Sequence, residues 1–101
     1  MSNGSVTLEN GVLRIHGVLD YRSGPLLRQQ GQALIRSAKA DHLEVNCAAV
    51  EKSSSVGLAL LLAFMRDAEQ GGKTVKLTHL PLDMQKIAEV CGLTEILNIA
   101  P

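Results

Sequence analysis

Aromatic side chains are nearly missing from this chain: among 101 residues there is no tryptophan, one tyrosine, Tyr21, and one phenylalanine, Phe64. Without stacking surfaces there is no platform for bases or sugars, and the core has to be built from aliphatic side chains. An excess of either charge is missing too. Lys plus Arg and Asp plus Glu come to ten each, so the chain has no electrostatic footprint for nucleic acid or for an anionic membrane surface. Cysteine is scarce, and Cys47 and Cys91 match no paired metal or redox spacing, which predicts two reduced, buried thiols without a chemical role. The longest apolar run, Leu58 to Met65, falls far short of the about 20 residues needed to cross a bilayer. The opening Met-Ser-Asn-Gly-Ser lacks a basic-then-apolar leader pattern. Together these absences predict a soluble, cytoplasmic domain with no nucleic-acid partner and no direct membrane insertion.

Patterns that announce catalysis are absent as well. His16, His42 and His79 fall on or beside different predicted strands, and no pair has the helical or short-loop spacing of zinc ligands. No glycine-rich loop followed by Lys-Ser or Lys-Thr opens a helix. Gly72-Lys73-Thr74 stands where a helix ends, not where one begins. A nucleophile elbow of the form Gly-x-Ser-x-Gly fails around Ser55 because position 53 is Ser53. The expectation is a protein that is not an enzyme and holds neither metal nor cofactor.

What is present is a clean alternation of elements. Val6 and Leu8 alternate with polar neighbours, Leu13 and Ile15 do the same after Asn10-Gly11, and Asn-Gly between two such runs predicts a hairpin. Ser23 or Gly24 followed by Pro25 reads as a helix start, with a helix to about Ser37 whose inner side uses Leu26 or Leu27, Ala33, Leu34 and Ala38. Arg28, Gln29, Gln32 and Arg36 are expected to stay wet, and Gly31 to weaken the helix. His42 to Asn46 is a short strand that leads through Cys47-Ala-Ala-Val50 into a serine turn and a second helix. That helix is expected to end at Gly71-Gly72, where Thr74 to Thr78 follows as a strand. Pro81 then begins a third helix, with Met84, Ile87, Ala88 and Cys91 on one face and Gly92 at its end, before a short apolar tail to Ile99. Strands alternating with helices predict one α/β domain over residues 1–101, with a mixed, mostly parallel sheet, an antiparallel hairpin at its start and three to four helices.

The stretch around the second helix carries the most information. Ser53, Ser54 and Ser55 can cap its first turn, which puts the helix start at Ser54 or Ser55. At about 100° per residue, Leu58, Leu61, Leu62 and Met65 share one face, and Leu60 and Phe64 fall nearly opposite. Either the helix is sandwiched inside the domain, or the second stripe is left for another protein. The second alternative is the sharper hypothesis. A phosphate on Ser55 would sit at the positive end of the helix dipole, and its charge would repel an apolar partner.

Three stretches, Gly17-Val-Leu-Asp20, Ser54-Ser-Val-Gly-Leu58 and Gly92-Leu93, together with the order of elements, resemble the STAS domain family. That family includes bacterial anti-sigma factor antagonists and subunits of transporters. In the antagonists the turn usually reads Asp-Ser-Ser-Gly-Leu with the first serine phosphorylated. Ser55 occupies that acceptor position, while Ser54 replaces the acidic residue and Val56 the second serine. The Gly-Leu-Ala-Leu-Leu-Leu run is more similar to the small STAS subunits, the MlaB branch, of Mla phospholipid-transport ABC systems. The resemblance implies a non-enzymatic cytoplasmic subunit that binds the transporter's ATPase subunit, supports its assembly and activity, and reaches the inner membrane only through that partner. It implies a contact surface of Ser54, Ser55, Val56, Leu60 and Phe64 with Asp83, Lys86 and Ile87 from the third helix. The alternative it implies is an anti-sigma factor antagonist switched by phosphorylation at Ser55.

Overall fold

The computed structural model describes residues 4–53, 55–97 and 99, with Ser53 as backbone only. Strands β1 (Ser5–Glu9) and β2 (Val12–Leu19) form the expected hairpin. Asn10 and Gly11 both take positive φ, 52° and 78°, which gives the two-residue turn whose twist suits antiparallel strands. Strand β3 (His42–Ser53) runs parallel to β2, and β4 (Thr74–Thr78) runs parallel to β3, so the sheet order is β1-β2-β3-β4. The third strand is longer than the sequence pattern suggested. Its continuation past Asn46 pairs with His16 to Leu19 across two register shifts, a non-local pairing that alternation within Cys47–Ser53 does not reveal.

Three helices connect and cover this sheet: α1 (Gly24–Ser37), α2 (Ser55–Gln70) and α3 (Leu82–Val90). The strand residues that point into the core all share one pleat face: Leu13, Ile15 and Leu19 from β2, Leu43, Val45 and Cys47 from β3, and Val75 and Leu77 from β4. The helices lie on that side. The opposite face carries Thr7, Arg14, His42, Glu44, Lys76 and Thr78, and is polar. There the Thr78 hydroxyl donates to Glu44 at 2.7 Å and His42 Nδ1 pairs with the Thr74 hydroxyl at 2.6 Å. The described residues therefore form a two-layer α/β sandwich, one side of whose sheet they leave bare.

Both expected glycine caps are formed. At the end of α2, Lys73 N–H donates to the Ala68 carbonyl and Gly72 N–H to that of Glu69, with Gly72 at φ 73°. Leu93, Gly92, Ala88 and Glu89 repeat the arrangement after α3, with Gly92 at φ 69°. Each cap satisfies carbonyls that the helix leaves unpaired and sharply reverses the chain.

The inward faces of the helices differ from expectation at several positions. In α1 the buried positions are Leu27, Gly31 and Ile35; Ala33 and Leu26 are exposed, and Leu34 and Ala38 only half-buried. Gly31 is central because the Phe64 ring lies against it, so that a Cβ there would stand 2.3 Å from Phe64 Cε1. The glycine that weakens the isolated helix is what lets α1 and α2 approach. Arg28 and Gln32, expected to be wet, are partly buried. They reach to Asp67, whose Oδ1 accepts from Arg28 Nη2 at 3.2 Å and from Gln32 Nε2 at 3.3 Å.

The two cysteines also part company. Cys47 lies in the core, where loss of solvation pushes its thiol up to about 12, whereas Cys91, just past the end of α3, is exposed. The expected pair of buried thiols is corrected to one, because α3 ends at Val90 and releases the next position to solvent. Titration of the folded protein with an aromatic disulfide should release one equivalent of thiolate rapidly. The second should appear only on denaturation. Two fast equivalents in the folded state would contradict the burial of Cys47.

Candidate functional site

Parallel strands deliver their following helices to one edge. The carboxyl ends of β2, β3 and β4 lead into the first turns of α1, α2 and α3, so Asp20–Pro25, Ser55–Val56 and His79–Asp83 gather at that edge of the sheet. Ser55, the first residue of α2, is exposed, and Val56 is half-buried beside Gly24, at whose position a Cβ would lie 3.1 Å from Val56 Cγ1. The start of α2 and the β2–α1 turn are thus in direct contact.

The turn itself is built by two side chains. Asp20 Oδ1 accepts from the backbone N–H groups of Arg22 and Ser23 at 2.9 and 3.0 Å. The Ser23 hydroxyl donates to the Val18 carbonyl at 2.7 Å and accepts from the Asp20 N–H at 3.1 Å. The Ser23 and Arg22 backbone amides hold the Asp20 carboxyl below its usual range. Gly-Val-Leu-Asp before α1 is therefore a turn-forming sequence, with an acidic residue used for backbone geometry.

The residues expected to meet a partner divide into three groups. Ser55, Asp83 and Lys86 are exposed, and Val56 and Ile87 are half-buried, with α3 packed next to α2. Ser54 lies outside the described residues. Leu60 and Phe64 are corrected: they are 5% and 0% exposed and belong to the domain's own core. Of the two alternatives for the two-striped helix, the sandwich is the one observed. Sheet residues cover one side of α2 and α1 covers the other, with Gly31 making room for the ring.

Exposed apolar groups do occur at this edge, on residues the sequence reading had not placed there. Tyr21 is 71% exposed, Leu26 55% and Leu82 69%. Leu82 begins α3 and Leu26 sits in the first turn of α1. The signal available for Tyr21 was its position directly after the turn-forming Asp20.

Among the described residues no group of three metal-ligating side chains is found, and no helix is long and apolar enough to cross a membrane. His16 and His42 lie on strands β2 and β3 and His79 just past β4 at the same edge as Ser55, and among the described residues no hydrogen bond is seen between Ser55 and a histidine. Among the described residues the arrangement offers exposed surface, a hydroxyl and charged side chains.

No curated protein matches this chain in sequence. Among solved structures, a chain of the Acinetobacter MlaFEDB complex in an ATP-bound conformation superposes with a TM-score of 0.83 at 26% identity, covering 95% of this chain and 99% of that one. An anti-sigma factor antagonist from Mycobacterium paratuberculosis gives 0.75 at 22% identity over 98% and 85% of the two chains. The antagonist SpoIIAA in its unphosphorylated form gives 0.74 at 19% over 96% and 85%. The last two likenesses speak for the fold alone. The sequence pattern of the family described as Mlab, STAS domain, matches residues 4–98, and the chain accordingly belongs to the STAS domain family in its MlaB-like branch.

Proposed function

We propose that this protein is a non-enzymatic STAS subunit that binds the cytoplasmic ATPase of an ABC-type phospholipid transporter and supports its assembly and activity. Its place is the cytoplasmic side of the inner membrane, reached through that partner. The observation that carries the reading is the likeness, over 95% of this chain and 99% of the other, to a chain of the MlaFEDB complex in its ATP-bound conformation. The exposed start of α2 supports it. Ser55, Val56, Asp83, Lys86 and Ile87 form the contact surface, Ser55 at its centre beside the neighbouring helix.

Ser55→Arg tests the surface. A long charged side chain in place of a hydroxyl at a close-packed centre should lower binding of the ATPase by about 100-fold, while the thermal midpoint stays within experimental error because the position is exposed. A complex of undiminished affinity would remove Ser55 from the interface. The second reading, an anti-sigma factor antagonist, is favoured by the exposure of Ser55 at the acceptor position. Incubation with a switch kinase and ATP decides it: a phosphate found on Ser55 by intact mass supports regulation, and none excludes that mechanism.

A further inference from the structure

The burial of Leu60 and Phe64 leaves a shortfall at the proposed interface. A stable protein–protein contact takes about 800 Å² from each partner. The start of α2 contributes the exposed Ser55 and Ala59 and the half-buried Val56, and α3 contributes Asp83, Lys86 and the half-buried Ile87, a small and largely polar set. The surface adjoining the start of α2 is the β2–α1 turn, which meets it through Gly24 and Val56.

Tyr21 and Arg22 on this turn are organised before any partner arrives. The Arg22 guanidinium stands 5.6 Å from the centroid of the Tyr21 ring, and its Nε donates to the Tyr21 hydroxyl at 3.2 Å. The backbone beneath them is fixed by the Asp20 and Ser23 hydrogen bonds. On an exposed surface such a stack adds little to folding stability, so the domain does not need it to fold. Tyrosine and arginine are the residue types that most often anchor interfaces, and holding them in one geometry lowers the entropy lost on docking. With Nε engaged, the two Nη nitrogens remain, and they have no hydrogen-bond partner among the described residues. A planar pair of donors suits a carboxylate. Asp20 does not supply it, because its carboxylate is taken up by the two backbone amides.

We propose that Tyr21 and Arg22 anchor the same docking surface, Tyr21 entering an apolar recess of the ATPase subunit and Arg22 pairing with a carboxylate beside that recess. Leu26, exposed on the next turn of chain, extends the apolar contact. The inference rests on the ATPase reading and deepens it by naming the chemistry of the partner's surface.

The test is the affinity of the full chain for the purified ATPase subunit, measured for wild type, Tyr21→Ala, Arg22→Lys and Arg22→Glu at low and high salt, with thermal melts as folding controls. Tyr21→Ala should weaken binding about 30-fold and Arg22→Glu about 100-fold, with unchanged melts. Arg22→Lys keeps the charge and loses the fork, and should bind about tenfold more weakly than wild type. Reversing a single interfacial Asp or Glu of the ATPase to Arg should restore binding by Arg22→Glu. Wild-type affinity in Tyr21→Ala and Arg22→Glu, with Ser55→Arg still defective, would overturn the anchor and leave the ATPase reading standing. No binding of the ATPase by wild type would overturn both.

Discussion

Gly31→Ala lowers the stability of the domain, although alanine is the better helix former. In an exposed helix interior the exchange gains about 1 kcal/mol. Here the new Cβ would lie 2.3 Å from both Cε1 and Cζ of Phe64, a ring with 0% exposure that is enclosed on its other sides by the core. Overpacking of this kind costs about 1–3 kcal/mol, and relaxing it means prying α1 away from α2. We expect the overpacking to win, and the thermal midpoint to fall by about 4–8 °C for each kcal/mol of net loss. Combining Gly31→Ala with Phe64→Leu should recover part of the loss, since the smaller side chain vacates the space. A midpoint at or above wild type in the single variant would show that the ring does not sit against Gly31.

Arg28→Ala should cost a comparable amount. The Asp67 side chain is 2% exposed, and its Oδ1 is held by Arg28 and Gln32 across the α1–α2 seam. Removing the arginine strands a carboxylate away from water. For a fully enclosed pair the cost is about 3–5 kcal/mol. The Arg28 side chain is 40% exposed, so solvent screens part of the interaction and we place the loss at about 2 kcal/mol. The informative comparison is Arg28→Met with Asp67→Leu: with both charges gone the desolvation cost disappears, and the double variant should be more stable than Arg28→Ala. Urea denaturation of the three proteins measures this. A double variant no better than the single would mean that Asp67 is not paying for its burial.

What could be read in advance was whatever the chain states locally. Asn10-Gly11 between alternating strands, Gly72 and Gly92 after apolar periodic runs, and Pro25 and Pro81 near helix starts each act through backbone geometry within a few residues. The order of elements follows from them, and with it the parallel sheet. Contacts between elements were not legible. Gly31 carries no side chain and so does not register in a hydrophobic pattern, which put the inner face of α1 out of phase by placing Ala33 inward. Nothing in the neighbourhood of Asp67 in the sequence announces its burial, because its partners, Arg28 and Gln32, come from another helix.

The candidate site divides along the same line. Ser55 and Val56 were visible because a run of serines before apolar residues marks a helix start. Leu60 and Phe64 were misplaced because helical periodicity gives the angle between two stripes without saying how many layers will cover them. Tyr21 was passed over because its place after Asp20 marks a turn without saying whether the ring points inward or outward. Only the turn geometry, with Asp20 and Ser23 pinning the backbone, shows it facing solvent beside Arg22.

The bare side of the sheet has a practical consequence. Because every helix packs on the other side, outward strand positions such as Thr7, Arg14 and Lys76 are remote from both the interior and the loops that gather at the carboxyl ends of the strands. A fluorophore or spin label mounted there would report on assembly while leaving the loops at the carboxyl ends of the strands untouched.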